Sequence, residues 1–168
     1  MSGTPAAGDG HDAYVGLGSN LGDRAAAIDR AFTELAALPD TALIARSSIY
    51  ESAPLDAPGG AYLNAVAHVR TALAPLELLA ALQAIESRHG RVRSSRNAPR
   101  PLDLDLLLHG ATAMRTPALT LPHPRLHERA FVLLPMTELS PSLTIPGHGP
   151  LQKLRARVAG QAVAKLER

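Results

Sequence analysis

The run Pro99-Arg100-Pro101-Leu102-Asp103-Leu104-Asp105-Leu106-Leu107-Leu108-His109-Gly110 is led in by two prolines and closed by a glycine, so the residues between read as a short strand. Side chains alternate faces along a strand. Leu102, Leu104, Leu106 and Leu108 are therefore predicted on one side, and Asp103, Asp105 and Leu107 on the other. At ~3.3 Å rise per residue the two aspartates stand side by side, their Cβ atoms about 6–7 Å apart. Beside a leucine-rich core, two unpaired carboxylates repel each other at a cost. A hard divalent cation removes that repulsion, and Mg²⁺ prefers one or two carboxylates completed by waters and phosphate oxygens. A half-exposed edge strand with two solvated aspartates is the other reading of the same pattern.

Just upstream lie Arg88, Arg91, Arg93, Arg96 and Arg100 with no acidic residue among them. The stretch 90–99 is polar, starts on glycine and lacks periodicity, which predicts a mobile loop. Guanidinium groups match phosphate oxygens bidentately. An arginine loop feeding a two-aspartate strand points to a polyphosphate held by Mg²⁺ on one side and arginines on the other. With fifteen Arg against two Lys, part of this density is compositional, and a solvated basic loop is the alternative.

The 168 residues suit one domain with a sizeable core. A hydrophobic fraction of 46% with 19% charged residues describes a globular chain. No apolar run reaches the length of a membrane span, and the first twelve residues lack the pattern of a secretory leader. They read as a flexible tail, with a single domain from 13 to 168. Zero cysteines exclude disulfides and thiolate metal sites and fit the cytoplasm. A net charge of +2 favours a local anionic ligand without demanding nucleic acid.

Along the chain, 13–18 reads as a strand ending in glycines, and Ser19 to Asp23 as a turn that brings Asn20 toward a ligand. Gly16, Gly18 and Gly22 are spaced G-x-G-x-x-x-G, one residue off the dinucleotide fingerprint. Ile28, Phe32, Leu35 and Leu38 keep one helical face from Arg24 to Leu38. Leu43–Glu51 and Tyr62–Thr71 read as strands, and Pro75 opens a helix with a Leu78, Leu79, Leu82, Ile85 stripe stopped at Gly90. After the leucine strand, Ala130–Leu139 looks helical despite Pro135. Leu143–Ile145 reads as a short strand and Leu151–Leu166 as a last helix. The order βαββαβ predicts an α+β, ferredoxin-like sandwich: an antiparallel sheet with helices packed on its faces, both long helices on one of them.

Several segments together resemble the 6-hydroxymethyl-7,8-dihydropterin pyrophosphokinase family. They are Tyr14-Val-Gly-Leu-Gly-Ser-Asn-Leu-Gly22, Ser48-Ile-Tyr-Glu-Ser-Ala-Pro54, Tyr62-Leu-Asn-Ala65, Ile85-Glu86, Gly90-Arg-Val-Arg93, Pro99-Arg-Pro-Leu-Asp-Leu-Asp105, Leu121-Pro-His-Pro124 and Arg129-Ala-Phe-Val132. The resemblance implies transfer of pyrophosphate from ATP to the pterin hydroxymethyl group in folate biosynthesis, with release of AMP. It implies two Mg²⁺ ions on Asp103 and Asp105, and Arg91 and Arg100 clamping phosphates as catalytic groups. Gln83, Glu86, Arg93, His123 and Arg129 join Arg91 and Arg100 around ATP. For the pterin it implies stacking between Tyr62 and Phe131, an edge contact from Asn64, and help from Ser52, Ala53 and Leu55. Two small-molecule substrates, no nucleic acid, no membrane and a monomer are expected.

Two departures stand out. Asn97 occupies the place where family members often carry an aromatic in the loop, leaving closure to Arg96 and Pro99, and Pro124 replaces a tyrosine seen in some relatives. His123 and His127, four apart, have zinc-like spacing, but Pro122 and Pro124 argue against one helix there. An RNA-binding module would carry an aromatic run on its central strands, and none occurs. A regulatory domain that binds a small ligand would not need the aspartate pair and the arginine loop together.

Overall fold

The computed structural model describes residues 10–52, 61–90 and 101–167. Strand β1 (His11–Ser19) leads through a tight turn, Gly22 at φ +71°, into α1 (Arg24–Ala36). Asp23 caps this helix by accepting the Ala26 N–H at 3.1 Å. Strands β2 (Thr41–Arg46), β3 (Tyr50–Ser52) and β4 (Tyr62–Thr71) follow, then α2 (Pro75–Arg88). Proline at the first helical position and the Glu77 carboxylate, which accepts the Ala74 N–H at 2.8 Å, start α2. Strand β5 (Asp103–His109) carries the aspartates. A hairpin of β6 (Met114–Arg115) and β7 (Thr120–Leu121) precedes α3 (Ala130–Leu139). The chain then runs through β8 (Thr144–Ile145), β9 (Gly149–Pro150), α4 (Leu151–Arg157) and β10 (Val163–Lys165).

The main sheet has the order β10-β3-β4-β1-β5, with β2 also paired to β4, and its pairs are antiparallel. This is the predicted βαββαβ sandwich. The long helices α1 and α2 both cover one face, where Ile28, Phe32, Leu35, Leu78, Leu82 and Ile85 meet Val15, Leu17, Leu63, Ala65, Leu104 and Leu106. Each of the large side chains buried there contributes about 1.5–3 kcal/mol. On the opposite face α3 and α4 pack on Tyr14, Val66, Leu107 and Leu108. Among the described residues no helix is long and apolar enough to cross a membrane.

Four expectations are corrected. Strand β1 begins at His11, inside the stretch assigned to the tail, and Asp12 bonds His68 at 3.0 Å. The strand expected over Leu43–Glu51 breaks between Arg46 and Tyr50, where the Ser47 hydroxyl accepts the Val66 N–H at 2.8 Å and takes the ladder off register. The last helix stops at Arg157, and Val163–Lys165 instead pairs with β3. Leu108 faces α3 with Leu107 rather than joining Leu104 and Leu106. Its partner is Tyr14, whereas Leu106 pairs with Val15, so Leu107 is a β-bulge that reverses the alternation beyond it.

Candidate active site

Strand β1 runs between β4 and β5, and its glycines lie on the face opposite the long helices. Gly18 is paired with Asn64 on one side and Asp103 on the other, and Gly16 with Val66 and Asp105. Partners across a ladder share a face. Asn64, Gly18 and Asp103 therefore form one row, and Val66, Gly16 and Asp105 the next. Strands lie about 4.8 Å apart, so Asn64 and Asp103 are separated by about 10 Å across a residue with no side chain. A Cβ at Gly18 would meet Asn64 Oδ1 at 3.5 Å and a Tyr62 ring carbon at 3.6 Å, and its absence leaves a shallow slot there. At Gly16 the corresponding space is taken by Leu107, 3.5 Å from where a Cβ would sit. The slot is thus bounded by the aspartates, by Tyr62 and Asn64, and by the bulged leucine.

One wall is tied down by hydrogen bonds. Asn64, 5% exposed, donates its amide to the Ser52 hydroxyl at 2.8 Å. Next to Ser52, Tyr50 pairs with Asn64 and donates its phenol to Glu138 of α3 at 2.8 Å. The Ser48 N–H and hydroxyl also bond Glu138. Burial raises the Tyr50 pKa, and the bond to Glu138 raises it further. Burial opposes ionisation of Glu138, but the bonds from Tyr50 and Ser48 outweigh it and hold the carboxyl below its usual range.

The other wall starts with Leu121-Pro122, joined by a cis peptide, and His123, whose N–H bonds the Leu107 carbonyl at 2.9 Å. Burial, with the Arg129 and Arg125 guanidinium groups, lowers the His123 pKa to about 4, while the Asp103 charge pulls the other way. His123 is neutral at physiological pH. Its Nδ1 accepts the Arg125 N–H at 3.1 Å, which assigns the ring proton to Nε2. Arg129 stands 5.5 Å over the Phe131 ring at the start of α3. Beside Asp105 opens a cavity of about 240 Å³, walled by Leu79, Leu104, Leu106 and Leu119, with Thr116, Thr120 and His123 as its polar lining.

Ser52, Tyr62, Asn64, Asp103, Asp105, His123, Arg129 and Phe131 all belong to this end of the sheet. Gln83 is exposed on α2, one turn before Glu86. Glu86 is 4% exposed and accepts the Leu104 N–H at 2.7 Å, between the two aspartates. Ala53, Leu55, Arg91, Arg93, Arg96, Asn97, Pro99 and Arg100 lie outside the described residues. His127, four residues after His123, stacks its ring on His148 at 4.1 Å. Among the described residues no three or more His, Cys, Asp or Glu gather to hold a metal. Two hard carboxylates without nitrogen ligands suit Mg²⁺, which leaves most of its shell to water and phosphate. The role of Gly18 was missed in the sequence, although two glycines at strand spacing opposite two aspartates at strand spacing were a usable signal.

Comparison with known proteins gives a consistent result. Residues 14–141 match the family described as 7,8-dihydro-6-hydroxymethylpterin-pyrophosphokinase (HPPK). The 2-amino-4-hydroxy-6-hydroxymethyldihydropteridine pyrophosphokinase of Pseudomonas aeruginosa is 44% identical over 154 residues, 91% of this chain and 95% of that protein. The protein of the same name from Haemophilus influenzae is 40% identical over 92% of this chain and 97% of its own. Among solved structures, an HPPK-DHPS in complex with substrates superposes with a TM-score of 0.70 at 13% identity, covering 89% of this chain. This chain spans 43% of that longer one, and the likeness concerns the fold.

Proposed function

The chain belongs to the 7,8-dihydro-6-hydroxymethylpterin-pyrophosphokinase family, a pyrophosphokinase of folate biosynthesis, and from that premise we propose how its residues divide the work. The substrates are ATP and 6-hydroxymethyl-7,8-dihydropterin. The hydroxymethyl oxygen attacks the β-phosphorus, the bond from that phosphorus to the α,β-bridging oxygen breaks, the hydroxyl proton is lost, and AMP leaves. Little covalent work falls to the protein in such a transfer, so positioning and charge neutralisation dominate.

Asp103 and Asp105 would hold two Mg²⁺ ions, which would supply neutralisation of phosphate charge and activation of the attacking hydroxyl. The pterin lies in the Gly18 slot, stacked by Tyr62 and Phe131 and read at its edge by Asn64, with Ser52 fixing the amide. Ala53 and Leu55 assist. The span from Asn64 to Asp103 suits a bicyclic ring with a one-carbon arm, so the arm points at the aspartates. The cavity beside Asp105, walled by leucines and lined by Thr116, Thr120 and His123, takes the nucleoside end of ATP. Arg129 and the neutral His123 face the phosphates, the latter through its Nε2–H, and Arg91, Arg93 and Arg100 supply further phosphate-binding cations. Gln83 flanks the nucleotide. Glu86 serves the nucleotide indirectly, by pinning the strand between the two metal-binding carboxylates. A monomer in the cytoplasm completes the reading.

The row Asn64–Gly18–Asp103 carries this assignment, because it sets Asn64 about 10 Å from Asp103 across a residue with no side chain. The test mixes the protein with ATP, Mg²⁺ and the pterin and follows AMP. AMP that requires both pterin and Mg²⁺ is expected. ADP, free phosphate, or AMP without pterin would move the chain to another class of phosphate transfer.

A further inference from the structure

The first turn of α3 has no cap of its own. Arg129, at the cap position, makes no side-chain capping bond, and the Ala130 N–H is one of the donors a helix start leaves without an intrahelical partner. That donor is satisfied from 31 residues away: Gln161 Oε1 accepts it at 2.9 Å. The other end of the same amide, Nε2, donates to the Glu128 carbonyl at 2.7 Å. Gln161 thus grips the backbone on both sides of Arg129. Two residues later Val163 pairs with Ser52 in the β10–β3 ladder. The grip therefore links the strand pair that carries Ser52 to the helix start that carries Arg129 and Phe131.

We propose that Gln161 is a positioning residue that fixes Arg129 and Phe131 relative to the Ser52 wall and so sets the width and alignment of the substrate slot. The proposal rests on the functional reading above. Gln161 itself is exposed, so shortening it opens no hole in the core and leaves the sheet intact. The amide is needed at both ends. A carboxylate keeps the acceptor toward Ala130 but sets an oxygen against the Glu128 carbonyl.

The test uses Gln161→Ala, Gln161→Glu and, as a control, the exposed α4 residue Gln152→Ala, which is expected to behave as the native chain. In Gln161→Ala, kcat/KM falls about 10- to 30-fold, the scale of two ordinary hydrogen bonds, with a rise in KM, while the melting temperature drops by only a few degrees and the protein stays folded at assay temperature. Gln161→Glu falls between the two. A merely structural role would lower the melting temperature and the active fraction together, with KM unchanged. In the Arg129→Ala background, Gln161→Ala costs little more, because the two act through one element. Amide hydrogen exchange gives a readout that needs no turnover. Ala130 loses protection in Gln161→Ala and keeps it in Gln161→Glu. Full additivity with Arg129→Ala, unchanged kinetics in Gln161→Ala, or unchanged Ala130 exchange would each overturn the proposal. Absence of AMP from the native chain would sink the functional reading and leave the exchange result standing.

Discussion

The two faces of the main sheet are built from alternate residues of the same strands, yet they do different work. The face under α1 and α2 is carpeted from end to end by aliphatic side chains at regular spacing, and almost nothing polar interrupts it. The opposite face is covered only part of the way. There α3 and α4 seal Tyr14, Val66, Leu107 and Leu108, and beyond them the sheet presents glycine, amide and carboxylate. Stability is concentrated on the first face, which frees the open end of the second to hold groups that fold poorly together, including two adjacent carboxylates. Substitutions on the two faces should therefore separate cleanly into losses of stability and losses of turnover.

The strongest test of this division is Asp103→Ala or Asp105→Ala. Either should cut kcat by on the order of 10³-fold with the melting temperature close to native; near-normal Mg²⁺-dependent turnover would end the metal assignment. Phe32→Ala, on the other face, should cost about 3–5 kcal/mol of stability and leave the KM values of the surviving folded protein unchanged, as denaturant unfolding and steady-state kinetics would record. Tyr62→Ala should raise the pterin KM by about tenfold and spare ATP. Equal losses for both substrates would remove Tyr62 from the stack. Gly18→Ala meets its neighbours at ordinary contact distance, so the fold should accept it, while the pterin KM rises several-fold as the slot floor lifts. Unchanged pterin KM would mean that the slot is not where the ring sits.

The smallest effect is on pH dependence. The folded-state pKa of His123 is about 4, below its ordinary 6.5. Between those values the unfolded chain binds the extra proton, so stability should fall as pH drops through that window and stay level above it. His123→Gln should flatten that part of the profile in a series of thermal melts, and an unaltered slope would assign it to other groups.

Much of this was legible in the sequence because it is local. Leu78, Leu82 and Ile85 announce a helix by spacing alone, Asp103 and Asp105 announce a shared face, and Pro135 did not stop α3. What was missed depends on distant partners. The segment Val163–Lys165 is a strand because β3 offers an edge to pair with, and no residue within it carries that information. The bond by which Glu86 accepts the Leu104 N–H is visible only once α2 lies against β5. Gln161 sits in a polar turn, and its meaning comes from Ala130, 31 positions away. The face of Leu108 was misread because a bulge leaves no compositional mark when the surplus residue is another leucine.

That surplus leucine also marks a boundary. Gly16 surrenders its side-chain volume and Leu107 occupies it, at the line where the α3-covered core ends and the aspartates begin. The pair works as a bulkhead between the aliphatic interior beneath α3 and the carboxylates of Asp103 and Asp105. A reaction chamber and an apolar interior can thus share one strand, a residue apart.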